Sequence, residues 1–380
     1  MMKNRIILLA AAAVLAAASC APKTQLTLSG LDPAKFTGER NGVALGLYAL
    51  TNASGMEVCI TNFGGRIVSV MTPGRDGVMR DVVLGFDNVA DYFPENHQSD
   101  FGASIGRYAN RINQGRFVLD GVEYQLPRNN FPHCLHGGPG GWQYQPYEVV
   151  EATASSLRLH LHSADGDNGF PGAVDVFVTF SLGDDDRLYI DYSATADAPT
   201  VINMTNHSYF NLSGDPADHC IEDDELCVNA SCYTPIDNTC MTTGEIAPVD
   251  GTPFDFRQLR RIGDTINADI EQIRNGHGYD HNWVLDTAGD WTAVAATLYC
   301  PQSGIRLDVY TDEPGIQVYS GNFLDGTATG KNGVQYQRRH AICLETQHYP
   351  DSPNKADWPS VVLRPGETYE SPCIYAFSAE

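Results

Sequence analysis

A histidine and a glutamate, His207 and Glu345, each lie in a polar and aromatic stretch that a purely structural core would not select. Residues 201–212 and 343–351 both open with apolar residues and then become polar, as strands do when their ends reach a pocket. An imidazole and a carboxylate that converge from distant parts of the chain could act as general acid and general base on a polyhydroxy substrate. A buried, hydrogen-bonded pair with a structural role explains the same residues equally well at this stage.

A second candidate segment, residues 102–112, contains glycines, two arginines and an asparagine. It lacks the spacing of either a P-loop or a dinucleotide-binding loop, so its glycines do not indicate phosphate binding. Asn110 and Arg111 would instead donate hydrogen bonds from an amide and a guanidinium group to hydroxyls. A structural arginine network is the alternative interpretation.

Residues 129–142 form a glycine-rich stretch that contains His133, His136 and Trp142. Such a loop lets the backbone approach a ligand closely, and an aromatic side chain beside it offers a flat face on which a sugar ring can stack. The two histidines resemble a metal pair, but no third ligand accompanies them and a metal site is not favoured.

Two further polar residues are candidates for hydroxyl contacts. Asp280 could accept a hydrogen bond from a sugar and, through its charge, help keep a nearby histidine protonated, although an isolated aspartate more often lies in a turn. Gln317 lies in an alternating strand-like stretch, where it is either a pocket residue or a solvent residue. The pattern alone favours solvent.

Alternating apolar and polar residues dominate the chain. Residues 157–161, 174–180 and 188–192 have the period of two that predicts half-buried strands, and Asp-Gly, Gly-Asp and Asn-Gly pairs at 120–121, 183–184 and 332–333 predict turns between strands. Helical patterns are short, at 89–93 and 267–273. The predicted fold is all-β: one large antiparallel β-sandwich with few short helices.

The N-terminus has the features of an export signal. Lys3 and Arg5 precede an apolar run over residues 6–18 that is too short to span a bilayer, and small residues at 17–19 precede Cys20. This pattern resembles a bacterial lipobox, so we expect a signal peptide at 1–19, lipid attachment at Cys20, a tether or edge segment at 20–41 and a catalytic domain at 42–380. A plain signal peptide with an incidental cysteine is the alternative. The expected location is extracytoplasmic, with a lipid anchor in a bacterial membrane.

The composition narrows the possible partners. A formal net charge of −23 would repel nucleic acid and anionic lipid, whereas 42% hydrophobic and 19% charged residues are ordinary for a globular protein. Ten cysteines include Cys20, and four others crowd together without the paired spacing of a zinc knuckle. We therefore expect no metal, and any disulfide pairing among Cys220, Cys227, Cys232 and Cys240 stays open.

Several of these stretches together resemble the aldose 1-epimerase (galactose mutarotase) family. The resemblance covers nearly the whole chain after residue 46, in the family's order. The matching stretches are 62–66 (NFGGR), 106–112 (GRYANRI), 136–138 (HGG), 205–212 (TNHSYFNL), 233–235 (YTP), 251–256 (GTPFDF), 278–281 (GYDH), the strand with Gln317, and 345–351 (ETQHYPD).

The resemblance implies a β-sandwich that binds a free monosaccharide in an open cleft. It implies that Glu345 is the general base for the C1 hydroxyl and that His207 is the general acid for the ring oxygen, so that ring opening and reclosure invert the anomeric centre. The implied substrate contacts are Asn110, Arg111, His136, Tyr209, Asp280 and Gln317. No cofactor is implied, and we expect a monomer or weak dimer.

Three other functions are alternatives to this one. A non-catalytic carbohydrate-binding protein on the same fold could dispense with the acid or the base. A glycoside hydrolase would need a second carboxylic acid in place of His207. An enzyme for phosphorylated hexoses fits poorly with the acidic composition.

Overall fold

The computed structural model describes residues 25–97 and 99–380, and they are almost entirely β-structure. The expected signal peptide and Cys20 lie outside the described residues. The strands are β1 (Gly38–Arg40), β2 (Val43–Leu45), β3 (Leu47–Thr51), β4 (Glu57–Thr61), β5 (Arg66–Pro73), β6 (Met79–Asp81), β7 (Ala103–Ile105), β8 (Arg111–Ile112), β9 (Arg116–Leu119), β10 (Val122–Gln125), β11 (Cys134–Leu135), β12 (Glu148–Ala152), β13 (Ser156–Ser163), β14 (Val174–Leu182), β15 (Arg187–Ala196), β16 (Thr200–Val201), β17 (Thr205–His207), β18 (Tyr209–Phe210), β19 (Glu225–Val228), β20 (Cys232–Thr234), β21 (Ala247–Pro248), β22 (Arg260–Arg261), β23 (Asp280–Val284), β24 (Ala296–Tyr299), β25 (Ile305–Thr311), β26 (Gly315–Tyr319), β27 (Ile342–Gln347), β28 (Val362–Leu363) and β29 (Tyr369–Ala379).

Helices are short in the described part of the chain. One α-helix, α1 (Glu271–Gly276), is accompanied by single 3-10 turns at Pro33–Phe36, Ala90–Tyr92, Asn113–Gly115, Trp142–Tyr144, Asp167–Gly169, Ile221–Asp223, Ile262–Asp264, Lys331–Gly333 and Ser352–Asn354. The two predicted helical segments thus correspond to a 3-10 turn and to α1. Across 25–97 and 99–380, none of the helices has the length and apolar character needed to cross a bilayer.

Two large antiparallel sheets carry the architecture. One has nine strands in the order β12-β13-β14-β15-β29-β25-β24-β19-β22, and the other has six in the order β18-β27-β26-β23-β20-β21. Their inner faces share one apolar cluster, and the Tyr375 hydroxyl of the first sheet donates to the Leu344 carbonyl of the second. The predicted antiparallel β-sandwich is therefore confirmed.

The nine-stranded sheet shows why the alternating patterns were informative. Along β14 every second residue is buried and the residues between are only partly covered, because one face packs on the core and the other meets solvent. The predicted turn at 183–184 joins β14 to β15, and the one at 120–121 joins β9 to β10. The turn at 332–333 closes only a single bridge between Thr329 and Gln335.

The six-stranded sheet has a different burial pattern. Every residue of β26 and β27 is buried, because one face packs on the core and the other forms the floor of a cleft. A strand covered on both faces does not show the polar alternation of a surface strand. The expectation that Gln317 faces solvent is consequently wrong: its side chain is buried.

The segment before β1 is joined to the core. Leu31 and Phe36 are buried in a second apolar cluster that also contains Tyr209 and Tyr319. This part of residues 20–41 therefore packs under the cleft. All nine cysteines of the described residues carry free thiols, including Cys220, Cys227, Cys232 and Cys240.

Two buried arginines hold the loops that cross the top of the sandwich. Arg66 donates to the carbonyls of Ser99, Phe101 and Gln143, and Arg107 donates to those of Pro171 and Gly172. These bonds satisfy backbone oxygens that the irregular loops would otherwise bury unpaired. Arg107 is thus part of a structural arginine network, as one interpretation of its segment held.

Gly106 is required because the Trp142 ring packs directly on it. A Cβ atom at residue 106 would lie 2.0 Å from Cε3 of Trp142, which is buried in the core. We expect Gly106→Ala to lower the free energy of unfolding by about 2–3 kcal/mol through overpacking. Urea unfolding monitored by circular dichroism measures this, with Gly38→Ala as the matched control since its Cβ would meet no atom within 4 Å. Equal stability of the two variants would contradict this packing.

Candidate functional site

A cleft of about 260 Å³ opens over the six-stranded sheet. The residues that line it are Asp100, Asn110, Arg111, Asn130, Phe131, Leu135, His136, His207, Tyr209, Asp280, Tyr319, Phe323 and Glu345. Seven of the eight residues predicted from the sequence are in this set. The eighth, Gln317, lies in the sheet beside Glu345, with which it is paired between β26 and β27.

Three walls bring these side chains together. The floor is the sheet itself, where β23, β26 and β27 are neighbours and carry Asp280, Gln317 and Glu345. His207 and Tyr209 come from β17 and β18 at its edge. The short pair β8 and β11, with the residue before β8 and the residue after β11, supplies the remaining predicted residues, Asn110, Arg111 and His136.

The two candidate catalytic groups face each other. Nε2 of His207 lies 3.5 Å from Oε1 of Glu345, and both side chains are almost fully buried. The second carboxylate oxygen, Oε2, has no hydrogen-bond partner within the part of the chain that the structure describes. A buried carboxylate oxygen without a donor is costly, so this atom is available to a hydroxyl that enters the cleft.

The imidazole of His207 is fixed on several sides. Its ring stacks on Tyr209 with centroids 5.1 Å apart and meets the His136 ring edge-on at 5.2 Å. Nδ1 of His207 contacts Sγ of Cys343 at 3.6 Å, and the backbone carbonyl of His207 accepts a hydrogen bond from the Gly102 amide. The ring is therefore oriented with Nε2 toward Glu345.

His136 presents a hydrogen-bond donor to the cleft. The backbone N–H of Asn110 donates to Nδ1 of His136 at 3.2 Å, so Nδ1 is the acceptor and the proton of the neutral ring is on Nε2. Burial, with the charges of His207 and Arg111, lowers the pKa of His136 far below its usual range. This residue is consequently neutral and suited to donate to a ligand oxygen.

Asp280 is oriented by its neighbours in the sheet and across the cleft. Nε2 of Gln317 donates to its Oδ1 at 2.7 Å, and an Arg111 guanidinium nitrogen lies 3.9 Å from its Oδ2. Arg111 is held in turn by Asn130, whose Oδ1 accepts from Nε at 3.0 Å. A cationic donor and an anionic acceptor are thus held next to each other in the cleft.

Burial dominates the protonation of the central pair. Desolvation raises the pKa of Glu345 well above its usual value, the charges of Asp280 and Asp100 raise it further, and Arg111 opposes them. Burial lowers the pKa of His207, although the charges of Asp100 and Asp280 raise it. The roles of general base and general acid implied by the resemblance require an ionised glutamate and an imidazolium at rest. The directions of both shifts oppose that expectation, because desolvation outweighs the neighbouring charges.

Asp100 is the functional candidate that the sequence did not identify. It lines the cleft and its charge acts on both Glu345 and His207. It lies in an irregular segment just before β7 and accepts a hydrogen bond from Tyr144. No motif or periodicity marks such a position, because a long-range packing arrangement brings it to the cleft.

The aromatic walls also differ from expectation. Trp142 is buried in the core and takes no part in the cleft, so the predicted stacking surface beside the glycine-rich loop is wrong. Tyr209 and Tyr319 form the inner walls, whereas Phe131 and Phe323 are largely exposed at the opening. His133 faces elsewhere and contacts Thr239.

Two groups of potential metal ligands overlap in this cleft. They are Asp100, His136 and His207, and His207, Cys343 and Glu345. A metal ion here would occupy His207 in either case. Metal binding would therefore compete with proton transfer by that imidazole, and the same atoms cannot do both.

Comparison with known proteins gives a consistent result. A family model described as "Aldose 1-epimerase" matches residues 46–376. The chain is 41% identical to the galactose mutarotase of Mus musculus over 85% of this chain and 91% of the relative, and 39% identical to the aldose 1-epimerase of Escherichia coli K12 over 88% and 95%.

Solved structures agree with the sequence relatives. A GalM/aldose epimerase homologue from C. elegans superposes with a TM-score of 0.81 at 32% identity, covering 88% of this chain and 99% of that one. Galactose 1-epimerase from Lactobacillus acidophilus gives 0.78 at 29% identity, covering 90% and 97%.

The electrostatic arrangement predicts how Glu345 titrates. As the pH falls, the carboxylate of Glu345 should become protonated at a pKa higher than that of exposed glutamates. Asp100→Asn should lower that pKa by removing a nearby negative charge. Carbon-13 NMR of carboxyl-labelled glutamate, assigned with Glu345→Gln, measures the midpoint. The exposed Asp357→Asn is the control and should not shift it. An unchanged midpoint in Asp100→Asn would contradict the assigned role of Asp100.

Proposed function

Because this chain belongs to the aldose 1-epimerase family, we propose that it interconverts the α and β anomers of free aldohexoses such as galactose and glucose. In this proposal the protein is an isomerase that acts on carbohydrates. The cleft supplies polar groups on every side, which suits a small molecule that carries a hydroxyl on nearly every carbon.

One observation carries the proposal. The unpartnered Oε2 of Glu345 is buried in the cleft, and Nε2 of His207 lies 3.5 Å from the other oxygen of the same carboxylate. Mutarotation needs one base and one acid for two oxygens attached to the same carbon. A base and an acid this close together can reach both oxygens of one hemiacetal.

The proton transfers follow from that geometry. Glu345 removes the proton of the C1 hydroxyl while His207 protonates the ring oxygen, so that the bond between C1 and the ring oxygen breaks and a C1 carbonyl forms. Rotation about the C1–C2 bond presents the opposite face of the carbonyl. Reclosure reverses both transfers: His207 takes back its proton from the ring hydroxyl and Glu345 returns its proton to O1.

The pKa directions support these roles. A carboxylate with a raised pKa is a stronger base, and an imidazolium with a lowered pKa is a stronger acid. The reactive proton distribution is disfavoured in a dry cleft, but a C1 hydroxyl that donates to Oε2 of Glu345 stabilises the ionised carboxylate. Asp100 and Asp280 stabilise the imidazolium.

The other predicted residues position the sugar. Arg111 and His136 donate to hydroxyl oxygens, and Asp280 accepts from hydroxyl hydrogens, each replacing a hydrogen bond to water. Asn110 and Tyr209 also line the cleft, beside the residues that bind hydroxyls. Gln317 acts through Asp280, since its amide nitrogen is already engaged by that carboxylate and its side chain lies outside the cleft lining.

The alternative functions explain fewer observations. A carbohydrate-binding protein has no need for a buried, unpartnered carboxylate beside an imidazole. A hydrolase would need a second carboxylic acid where His207 lies. A hexose phosphate would meet Asp100, Asp280 and Glu345 in one cleft, and the repulsion between these acidic groups and a phosphate disfavours its binding.

Loss of either proton-transfer group should abolish most of the rate. Glu345→Gln keeps the shape but not the base, and we expect about a 10²–10⁴-fold slower enzymatic mutarotation of α-D-galactose and α-D-glucose. His207→Asn should lose a similar factor while still binding sugar. Polarimetry of freshly dissolved sugar measures both. A Glu345→Gln variant that retains wild-type activity would contradict the assigned base.

We also propose that Cys20 carries lipid and anchors the protein outside the cytoplasm. The charged start, the apolar run and the small residues before Cys20 support this. Labelling with an alkyne fatty acid should mark the wild type and not Cys20→Ala, and only the wild type should enter the detergent phase on Triton X-114 partitioning. Unlabelled wild-type protein in the soluble cytoplasmic fraction would contradict the proposal.

A further inference from the structure

A second buried cluster of reactive side chains lies at the sheet edge, outside the cleft. Its members are His219, Asp224 and Cys300, here called the His219 cluster. None of the three lines the cleft. Asp224 immediately precedes β19 and Cys300 immediately follows β24, and the pairing of Glu225 with Tyr299 places the two beside each other.

The donor atoms of the cluster converge on one point. Nε2 of His219 lies 2.8 Å from Oδ1 of Asp224 and 3.9 Å from Sγ of Cys300, and one ligand atom from each residue lies within 4.8 Å of the others. The second oxygen of Asp224, Oδ2, is buried without a hydrogen-bond partner among the described residues. An acidic side chain with no solvent exposure and an unpaired oxygen can accept one further contact at that oxygen.

The imidazole of His219 is oriented as in a metal site. Nδ1 lies 2.9 Å from Oε1 of Gln302, an amide oxygen that can only accept, so Nδ1 carries a proton. This leaves Nε2 facing the carboxylate and the thiol. Metal-bound histidines usually donate their second ring N–H to an oxygen in this way.

We infer that the His219 cluster binds Zn²⁺ through Nε2 of His219, a carboxylate oxygen of Asp224 and Sγ of Cys300. A carboxylate and a thiolate balance the charge of a divalent ion, and mixed nitrogen, oxygen and sulfur donors are the ligands that zinc prefers. A tetrahedral zinc with bonds of about 2.0–2.3 Å separates its ligand atoms by roughly 3.3–3.8 Å. The histidine–cysteine distance of 3.9 Å lies just above this range, and the carboxylate must move by about half an ångström.

Two interpretations without a metal compete with this one. A buried ion pair of His219 and Asp224, with the Cys300 thiol as a further hydrogen-bond donor, also holds these three residues together, and cobalt binding distinguishes it from a zinc site. A catalytic triad would need Asp224 and Cys300 on opposite nitrogens of the ring, whereas both face Nε2.

The bound zinc would have a structural role. It would tie the loop that carries His219 to the edge of the nine-stranded sheet, and solvent at the slightly exposed His219 edge would supply the fourth ligand. The sequence did not predict this site because Cys300 follows His219 by 81 residues and lies outside the cysteine-rich segment.

Cobalt substitution tests the inference. The purified full-length chain is first treated with EDTA to remove bound metal, and the EDTA is then removed. The metal-free chain is titrated with CoCl₂ to one equivalent. We expect a near-ultraviolet thiolate-to-cobalt charge-transfer band that one equivalent of ZnCl₂ removes. Cys300→Ser should abolish the band, whereas Cys343→Ser is the matched control and should retain it, since Cys343 is the buried cysteine beside the other histidine–carboxylate pair.

Further variants separate ligand loss from misfolding. Asp224→Asn keeps the thiol and should weaken zinc affinity, and Gln302→Ala should weaken it by about 10–100-fold by freeing the ring of His219. Circular dichroism in EDTA shows whether each variant is folded. X-ray absorption of the zinc-loaded wild type, which does not depend on any variant, should show one sulfur ligand at about 2.3 Å from the zinc. No band in the wild type, a band lost in Cys343→Ser instead, or a spectrum without sulfur would each overturn the inference.

Discussion

The cleft depends on one buried carboxylate. Glu345 has an oxygen with no partner in the described protein, in a place where burial and two acidic neighbours raise its pKa. Ionising such a group without a donor costs free energy, so a fold selected only for stability would pair or remove it. A sugar hydroxyl supplies the missing donor. The same hydroxyl carries the proton that mutarotation must move.

The rest of the fold keeps this group dry and correctly placed. Glu345 lies on a strand that packs on the core with one face and forms the floor of the cleft with the other, and every residue of that strand is buried. Arg66 fixes the segment that carries Asp100 by donating to backbone carbonyls on either side of it, and Arg107 ties the segment that carries Asn110 to two backbone carbonyls of a neighbouring loop. The positions of these polar groups around a bound sugar are thereby set in advance.

Much of this could be predicted from the sequence, for identifiable reasons. Strands such as β14 have one solvent face, and their alternation is directly visible. His207 and Glu345 stand out because polar residues interrupt otherwise apolar stretches. The burial of Gln317 and the position of Trp142 away from the cleft could not be predicted, since both depend on which second layer covers each residue. The same is true of the protonation of the central pair, because desolvation is a property of the folded cleft.

The most direct test of the central claim is a double-mutant cycle on the anomerisation rate itself. Carbon-13 exchange NMR of [1-¹³C]galactose measures magnetisation transfer between the α and β signals at equilibrium. If Glu345 and His207 act as one unit on a single hemiacetal, Glu345→Gln, His207→Asn and the double variant should show about the same residual rate, because removal of either group disables the pair. Losses that multiply in the double variant would show that the two residues act independently and would contradict the claim.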